Sequence, residues 1–229
     1  MKTLLATACL VFFGHQIVLA QSTPSSKAVA AINAVSVSCP SSSTTTKTSC
    51  STGWVDVMSA QIKTSNVADL FVSPSLVTGL FTSTQVKGNG SGATSSATSM
   101  GGVQVRVLLD GQPGFAYPDT SGEGVTFDQR IQTLTANLGF ILTQCIASGG
   151  IGCELTPEQI TLVLDTTSAH TFNFILVNVG TGVHTVTVQA RVNSDSTNVT
   201  NGGVAVSNAM YGLGSLTVDS VRLVNSFSF

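Results

Sequence analysis

Val103-Gln104-Val105-Arg106-Val107-Leu108-Leu109, followed at once by Asp110-Gly111, is the stretch that decides the fold. Valine recurs at every second position, with Gln104 and Arg106 between. Successive side chains of a strand point to opposite faces, so this is a ribbon with one apolar and one mainly polar side. Asp-Gly is a strong signal for a tight turn at its end. The same rhythm returns downstream, where His184, Val186, Val188, Ala190 and Val192 alternate with Thr185, Thr187, Gln189 and Arg191. Residues 172–179 are apolar on both faces and read as a central strand. Gly180-Thr181-Gly182 then predicts a tight hairpin into the 183–192 strand. Leu216 and Val218 alternate with Thr217 and Asp219, and the shift to Val221 and Leu223 after Ser220 predicts a bulge there.

Further strands are expected over 53–63, 67–73, 77–86, 125–134, 160–165 and 203–211. One short helix is expected from Thr156, with Thr156 as cap, Pro157 in the first turn, and Glu154 and Glu158 favouring its dipole. The segment 132–145 fits strand or helix. Val and Thr dominate throughout, which supports strands. The expected fold is therefore all-β: an antiparallel β-sandwich or jelly roll of about nine or ten strands with at most one or two short helices.

Of 229 residues, 42% are hydrophobic, enough to bury the core of one domain, and only 9% are charged, with a formal net charge of −2. Nine basic against eleven acidic residues provide no footprint for a phosphate backbone, so no nucleic-acid partner is expected. The thin charge also excludes a coiled coil and charge-driven disorder.

The start of the chain reads as an export signal. Lys2 provides a short positive region, Leu4 to Ala20 is apolar with few breaks, and Val18-Leu19-Ala20 offers a cleavage site before Gln21. No later stretch is long and apolar enough to span a bilayer as a helix. The expected organisation is a signal peptide over 1–20, an exposed Ser/Thr-rich lead-in over 21–52, and a sandwich domain over 53–229, secreted. Beyond Cys9 in the signal, four cysteines remain: Cys39, Cys50, Cys145 and Cys153. Outside the cell such a set forms bridges; of the three possible connectivities, Cys39–Cys50 with Cys145–Cys153 is favoured because it closes two short loops. Neither pair has metal-ligand spacing and no histidine lies beside them, so no metal or other cofactor is expected.

Candidate chemistry is sparse. His184 reads as a satisfied histidine near the end of its strand, and His170 as a turn residue. The chain has no Gly-x-Ser-x-Gly elbow. Asp119, Glu123 and Asp128 cluster around Pro118 and Thr120-Ser121-Gly122. Turn shaping explains them, with calcium ligation or paired-carboxylate catalysis as the sharper alternatives. Gly88-Asn89-Gly90-Ser91-Gly92 lacks the Lys-Ser/Thr of a phosphate cradle and reads as a flexible loop. Asn89-Gly90-Ser91 and Asn198-Val199-Thr200 are glycosylation sequons.

Two stretches carry a resemblance. Gly102 to Gly111, then Gly182-Val183-His184-Thr185-Val186-Thr187-Val188-Gln189-Ala190-Arg191, ending near Ser215-Leu216-Thr217-Val218, together resemble exported bacterial, phage and fungal β-sandwich proteins of uncharacterised function. They are also loosely similar to tumour-necrosis-factor-like jelly rolls. The resemblance spans about a third of the chain. It implies a sandwich fold and, in trimer-forming relatives, a stripe of buried aromatics at the threefold axis. Phe172, Phe174, Phe227 and Phe229 are the aromatics to test, and a homo-oligomer stays open.

The leading expectation is a secreted, non-catalytic β-sandwich with a structural, adhesive or surface-associated role. The alternative is a lectin-like module for a glycan or cell-surface partner, using Trp54, Tyr117, Tyr211 and the Asp119–Asp128 loop. A carboxylate-dependent hydrolase and a secreted effector rank behind both.

Overall fold

A computed structural model describes residues 28–44, 46–88, 94–144, 154–198 and 203–223. These form fourteen strands and no helix: β1 (Ala28–Asn33), β2 (Val37–Ser43), β3 (Thr48–Ser51), β4 (Val55–Thr64), β5 (Ala68–Lys87), β6 (Thr94–Leu109), β7 (Ala116–Tyr117), β8 (Val125–Asn137), β9 (Phe140–Gln144), β10 (Glu154–Pro157), β11 (Gln159–Thr171), β12 (Phe174–Val179), β13 (Gly182–Asn198) and β14 (Val204–Val221). The fold is an antiparallel β-sandwich.

One layer is built on β14 and β5, which pair along nearly their whole length. Tandem strands flank them: β1 and β2 lie end to end along β14, and β12 and β11 along β5, with β7 beyond β12. The other layer is built on β13 and β6, with β3 and β4 in tandem along β13 and β8 beyond β6. A 20-residue strand such as β5 runs about 65 Å at the usual rise, so the sandwich is long and narrow.

The core changes character along that length. At one end Leu70, Val72, Leu216 and Val218 face Val103, Val105, Val107, Val186 and Val188, all at 0–1% exposure. Toward the other end the same inward positions hold Thr82, Thr84, Ser41, Ser43, Ser95, Ser99, Ser194, Ser196 and Ser207, buried at 0–4% exposure. Buried hydroxyls must find partners. Ser41, Ser196 and Ser207 do so as a triangle, with Oγ–Oγ distances of 2.8, 2.8 and 3.1 Å.

Several expectations are corrected. Residues 28–51 are not an exposed lead-in: β1, β2 and β3 complete both layers, and Cys39, Ser41 and Ser43 are buried. The helix at Thr156 is absent; β10 pairs with β9, and the β-branched run of β11 pairs with β5 throughout. Glu158 closes the turn there, its Oε2 accepting from the Gly139 N–H at 3.0 Å. Residues up to Gln144 of the ambiguous segment are strands β8 and β9. Gly180-Thr181-Gly182 is no hairpin, because β12 and β13 lie in opposite layers and the turn carries the chain across. The bulge lies between Gly212 and Gly214 rather than after Ser220. A Cβ on Gly214 would come within 2.6 Å of the Leu76 side chain and 3.1 Å of the Ser75 carbonyl, so any larger residue there forces the buried Leu76 to shift.

Candidate functional site

The Asp110-Gly111 turn forms as expected. Both residues have positive φ, 51° and 81°, and Leu109 and Gln112 exchange N–H···O bonds of 3.0 and 2.9 Å. Asp110 is then fastened to β13: Oδ1 accepts from the Thr185 N–H at 2.8 Å, and Oδ2 lies 2.8 Å from His184 Nδ1. His184 Nε2 faces the Gly180 carbonyl at 3.0 Å. Burial alone would raise the Asp110 pKa, but the His184 hydrogen bond, the Thr185 N–H and the histidine's charge outweigh it and hold the carboxyl below its ordinary value. His184 is the satisfied histidine that the sequence predicts.

His170 stands elsewhere, where the edges of the two layers meet. Its Nε2 lies 2.7 Å from Ser168 Oγ and 3.3 Å from Asp128 Oδ2, and Asp128 also accepts from Thr78 Oγ1 at 2.6 Å. A serine–histidine–aspartate constellation needs the serine and the acid on opposite ring nitrogens. Here both lie against the same one. Asp128 is the first of three inward residues of β8 that reach across. Arg130 Nη1 donates to Leu80 O at 3.1 Å. Gln132 accepts from Thr82 Oγ1 at 2.8 Å and donates to Thr84 Oγ1 and Leu162 O at 2.7 Å each. The three form a polar seam that joins β8 to β5 and β11.

The other carboxylates do not converge with it. Asp119 is 4% exposed in the loop after the cis Tyr117–Pro118 peptide. Its Oδ1 accepts from Ser121 Oγ at 3.2 Å and its Oδ2 has no hydrogen-bond partner. Glu123 is exposed, and its N–H donates to Ser121 Oγ at 3.3 Å. Among the described residues no three His, Cys, Asp or Glu side chains gather in a metal-ligating group.

The aromatics expected to share a sugar-binding surface are also separated. Tyr211 is fully buried, its hydroxyl unpartnered and its pKa pushed up by that burial. The phenol lies in the core because β14 turns that position inward. Tyr117 is half-buried on β7, at the edge of its layer. Trp54 belongs to the other layer, in the link between β3 and β4, both of which pair with β13. Phe174 is a core residue at 0% exposure, with Phe172 edge-on to it at 5.0 Å, while Phe227 and Phe229 lie outside the described residues.

Trp54 has neighbours that the sequence reading did not single out. The Arg106 and Arg191 guanidinium carbons lie 4.4 and 4.6 Å from its ring centroid. The ring rests on Gly124, where a Cβ would come within 2.4 Å of it. Gln104 Oε1 accepts from Arg191 Nε at 2.5 Å and Gln189 Oε1 from Arg106 Nε at 2.7 Å. The available signal was two arginines at outward positions of adjacent alternating strands.

No family model matches this chain. No curated protein matches either. Among solved structures, the chain is similar to the infectious bursal disease virus Gx strain structure at 11% identity and TM-score 0.15, covering 86% of this chain and 40% of that one. It is similar to the Gt strain structure at the same identity and score, covering 90% and 45%, and to the VP2 subviral particle of that virus, covering 86% and 42%. The chain thus spans less than half the length of these structures.

The disulfide Cys39–Cys50 is formed, with a Cα–Cα distance of 5.6 Å. Cys39 is on β2 of one layer and Cys50 on β3 of the other, so the bridge is an inter-layer tie. Cys145, Cys153 and Asn89 lie outside the described residues. Asn198 is an unfavourable acceptor in the folded chain: it is 5% exposed, and its Nδ2 donates to Thr44 O at 2.6 Å and Gly203 O at 2.8 Å.

Proposed function

We propose that this chain is an exported, non-catalytic β-sandwich with a structural or adhesive role at an extracellular surface. One observation carries the reading: the polar side chains best suited to chemistry are spent on holding the framework. Asp110 and His184 fasten a turn to a strand, and Asp128, with His170, belongs to the seam between layers. A base or nucleophile needs a lone pair aimed at substrate, whereas both Asp110 oxygens, both His184 nitrogens, Asp128 Oδ2 and His170 Nε2 face intramolecular partners. The inter-layer disulfide supports an oxidising compartment.

The test has two parts. An epitope-tagged full chain, expressed in a secreting host, is expected in the medium and surface fractions with its Cys39–Cys50 bridge intact. The purified mature chain is expected to turn over no ester, peptide or glycoside panel substrate above blank. Retention in the reducing cytosol would overturn the location. Saturable turnover lost in Asp128→Asn or His170→Ala would overturn the non-catalytic reading.

A further inference from the structure

We propose that the outer face of the five-stranded layer, at Trp54, binds the anionic group of an acidic polysaccharide. This rests on the extracellular, adhesive reading above and names the ligand chemistry for it.

Arg106 is opposite Gln189 and Arg191 is opposite Gln104, so two arginines and two glutamines form a checkerboard on the solvent face. Each glutamine holds one arginine by its Nε, which fixes the guanidinium without neutralising it. Arg106 Nη1 also donates to Gly122 O at 2.9 Å. Among the described residues, Arg106 Nη2 and both terminal nitrogens of Arg191 have no intramolecular acceptor. Trp54 brings the two cations together on one indole.

Neither arginine has a carboxylate within ion-pair distance. The ion pairs among the described residues are Lys47–Asp195, His170–Asp128 and His184–Asp110. The chain has eleven acidic residues to nine basic ones, so carboxylates are not scarce. Exposed Asp56 accepts instead from Gln189 Nε2 at 2.6 Å, and exposed Glu123 follows Gly122 in the chain. Two like charges held on one ring by neutral amides repel, and an anion seated between them relieves that repulsion. Guanidinium forks match carboxylate and sulfate bidentately, and the indole beside them offers an apolar wall to a sugar ring. Uronate and sulfate share this chemistry.

Trp54 is the one tryptophan of the chain, so its emission reports on this site directly. The full mature chain is titrated with oligogalacturonate, with a sulfated glycosaminoglycan oligosaccharide, and with a neutral oligosaccharide of equal length. A saturable emission change is expected with at least one acidic ligand, which identifies the group, and none with the neutral one. Arg191→Ala, its fold checked by circular dichroism, is expected to weaken binding about tenfold, the loss of one charge-assisted contact. Arg191→Lys is expected to restore it only in part, since lysine lacks the fork. No response to either acidic ligand, or one unchanged in the Arg106→Ala/Arg191→Ala double variant, overturns the site. Equal binding of single-stranded DNA would overturn the glycan assignment. A silent titration by a chain still found at the surface removes this site alone. Cleavage of the oligosaccharide would instead remove the non-catalytic reading.

Discussion

Asp110 shows how one residue serves local conformation and long-range contact together. It adopts a positive φ that Asn and Asp tolerate better than most residues, and its carboxylate then fastens the turn to Thr185 and His184. Its folded pKa is depressed, so its stabilisation is fully present above the unfolded value and is lost as pH falls through the folded one. Asp110→Asn keeps the φ preference and an acceptor for the Thr185 N–H but removes the charge. It is expected to cost no more than about 1 kcal/mol at neutral pH, because the Asp110 side chain is half exposed. The gap should close as the solution is acidified past the carboxylate range. Urea melts of both proteins across that range check this; a gap that stays constant with pH would show that the charge contributes nothing. This residue was half legible. Asp-Gly announces the turn, while the pairing with His184, 74 positions away, depends on strand register.

At the scale of the element, hydropathy contrast decided what could be read. Strands in the aliphatic half stand out because valine faces in and polar residues face out. In β2, Cys39, Ser41 and Ser43 face in while Ser38, Pro40 and Ser42 face out. Serine on both faces carries no contrast, so period two is invisible. The same holds for the Ser/Thr part of β6 and for the end of β13. It also explains why β2 and β3, among the fourteen strands of the described residues, went unread. The seam on β8 was hidden for a related reason: Asp128, Arg130 and Gln132 are polar residues that face another layer rather than water. Gln132 tests this. It is 5% exposed and makes three hydrogen bonds across the gap. Gln132→Ala strands the Thr82 and Thr84 hydroxyls and the Leu162 carbonyl, and is expected to cost about 2–3 kcal/mol in a denaturant melt. A surface glutamine would cost under about 0.5 kcal/mol, so a small loss would show that the seam is solvated.

Across the whole molecule, the two halves of the core supply different kinds of stability. The aliphatic half gains from burial, at roughly 25 cal/mol per Å². The hydroxyl half gains little from leaving water, since each buried hydrogen bond only replaces one made to solvent. The covalent tie lies in this second half: Cys39 O accepts from the buried Ser194 Oγ, and Ser41 of the hydroxyl triangle is two residues further along β2. Joining two layers here through an 11-residue sequence separation restricts the unfolded chain where the folded one has least to offset its entropy. Cys39→Ser with Cys50→Ser is expected to cost about 3 kcal/mol, which lowers the melting temperature by roughly 6–12 °C for a chain of this size. The loss should be uneven. Hydrogen exchange in the variant is expected to accelerate first in β2, β3 and the end of β13 around Ser194–Asn198, while Val103–Val107 and Val186–Val192 stay protected. That order follows if the aliphatic half is the more stable cooperative unit and the hydroxyl half opens below the global unfolding free energy. Acceleration by the same factor in both halves would mean that the sandwich unfolds as one unit, and the division of the core would then carry no energetic weight.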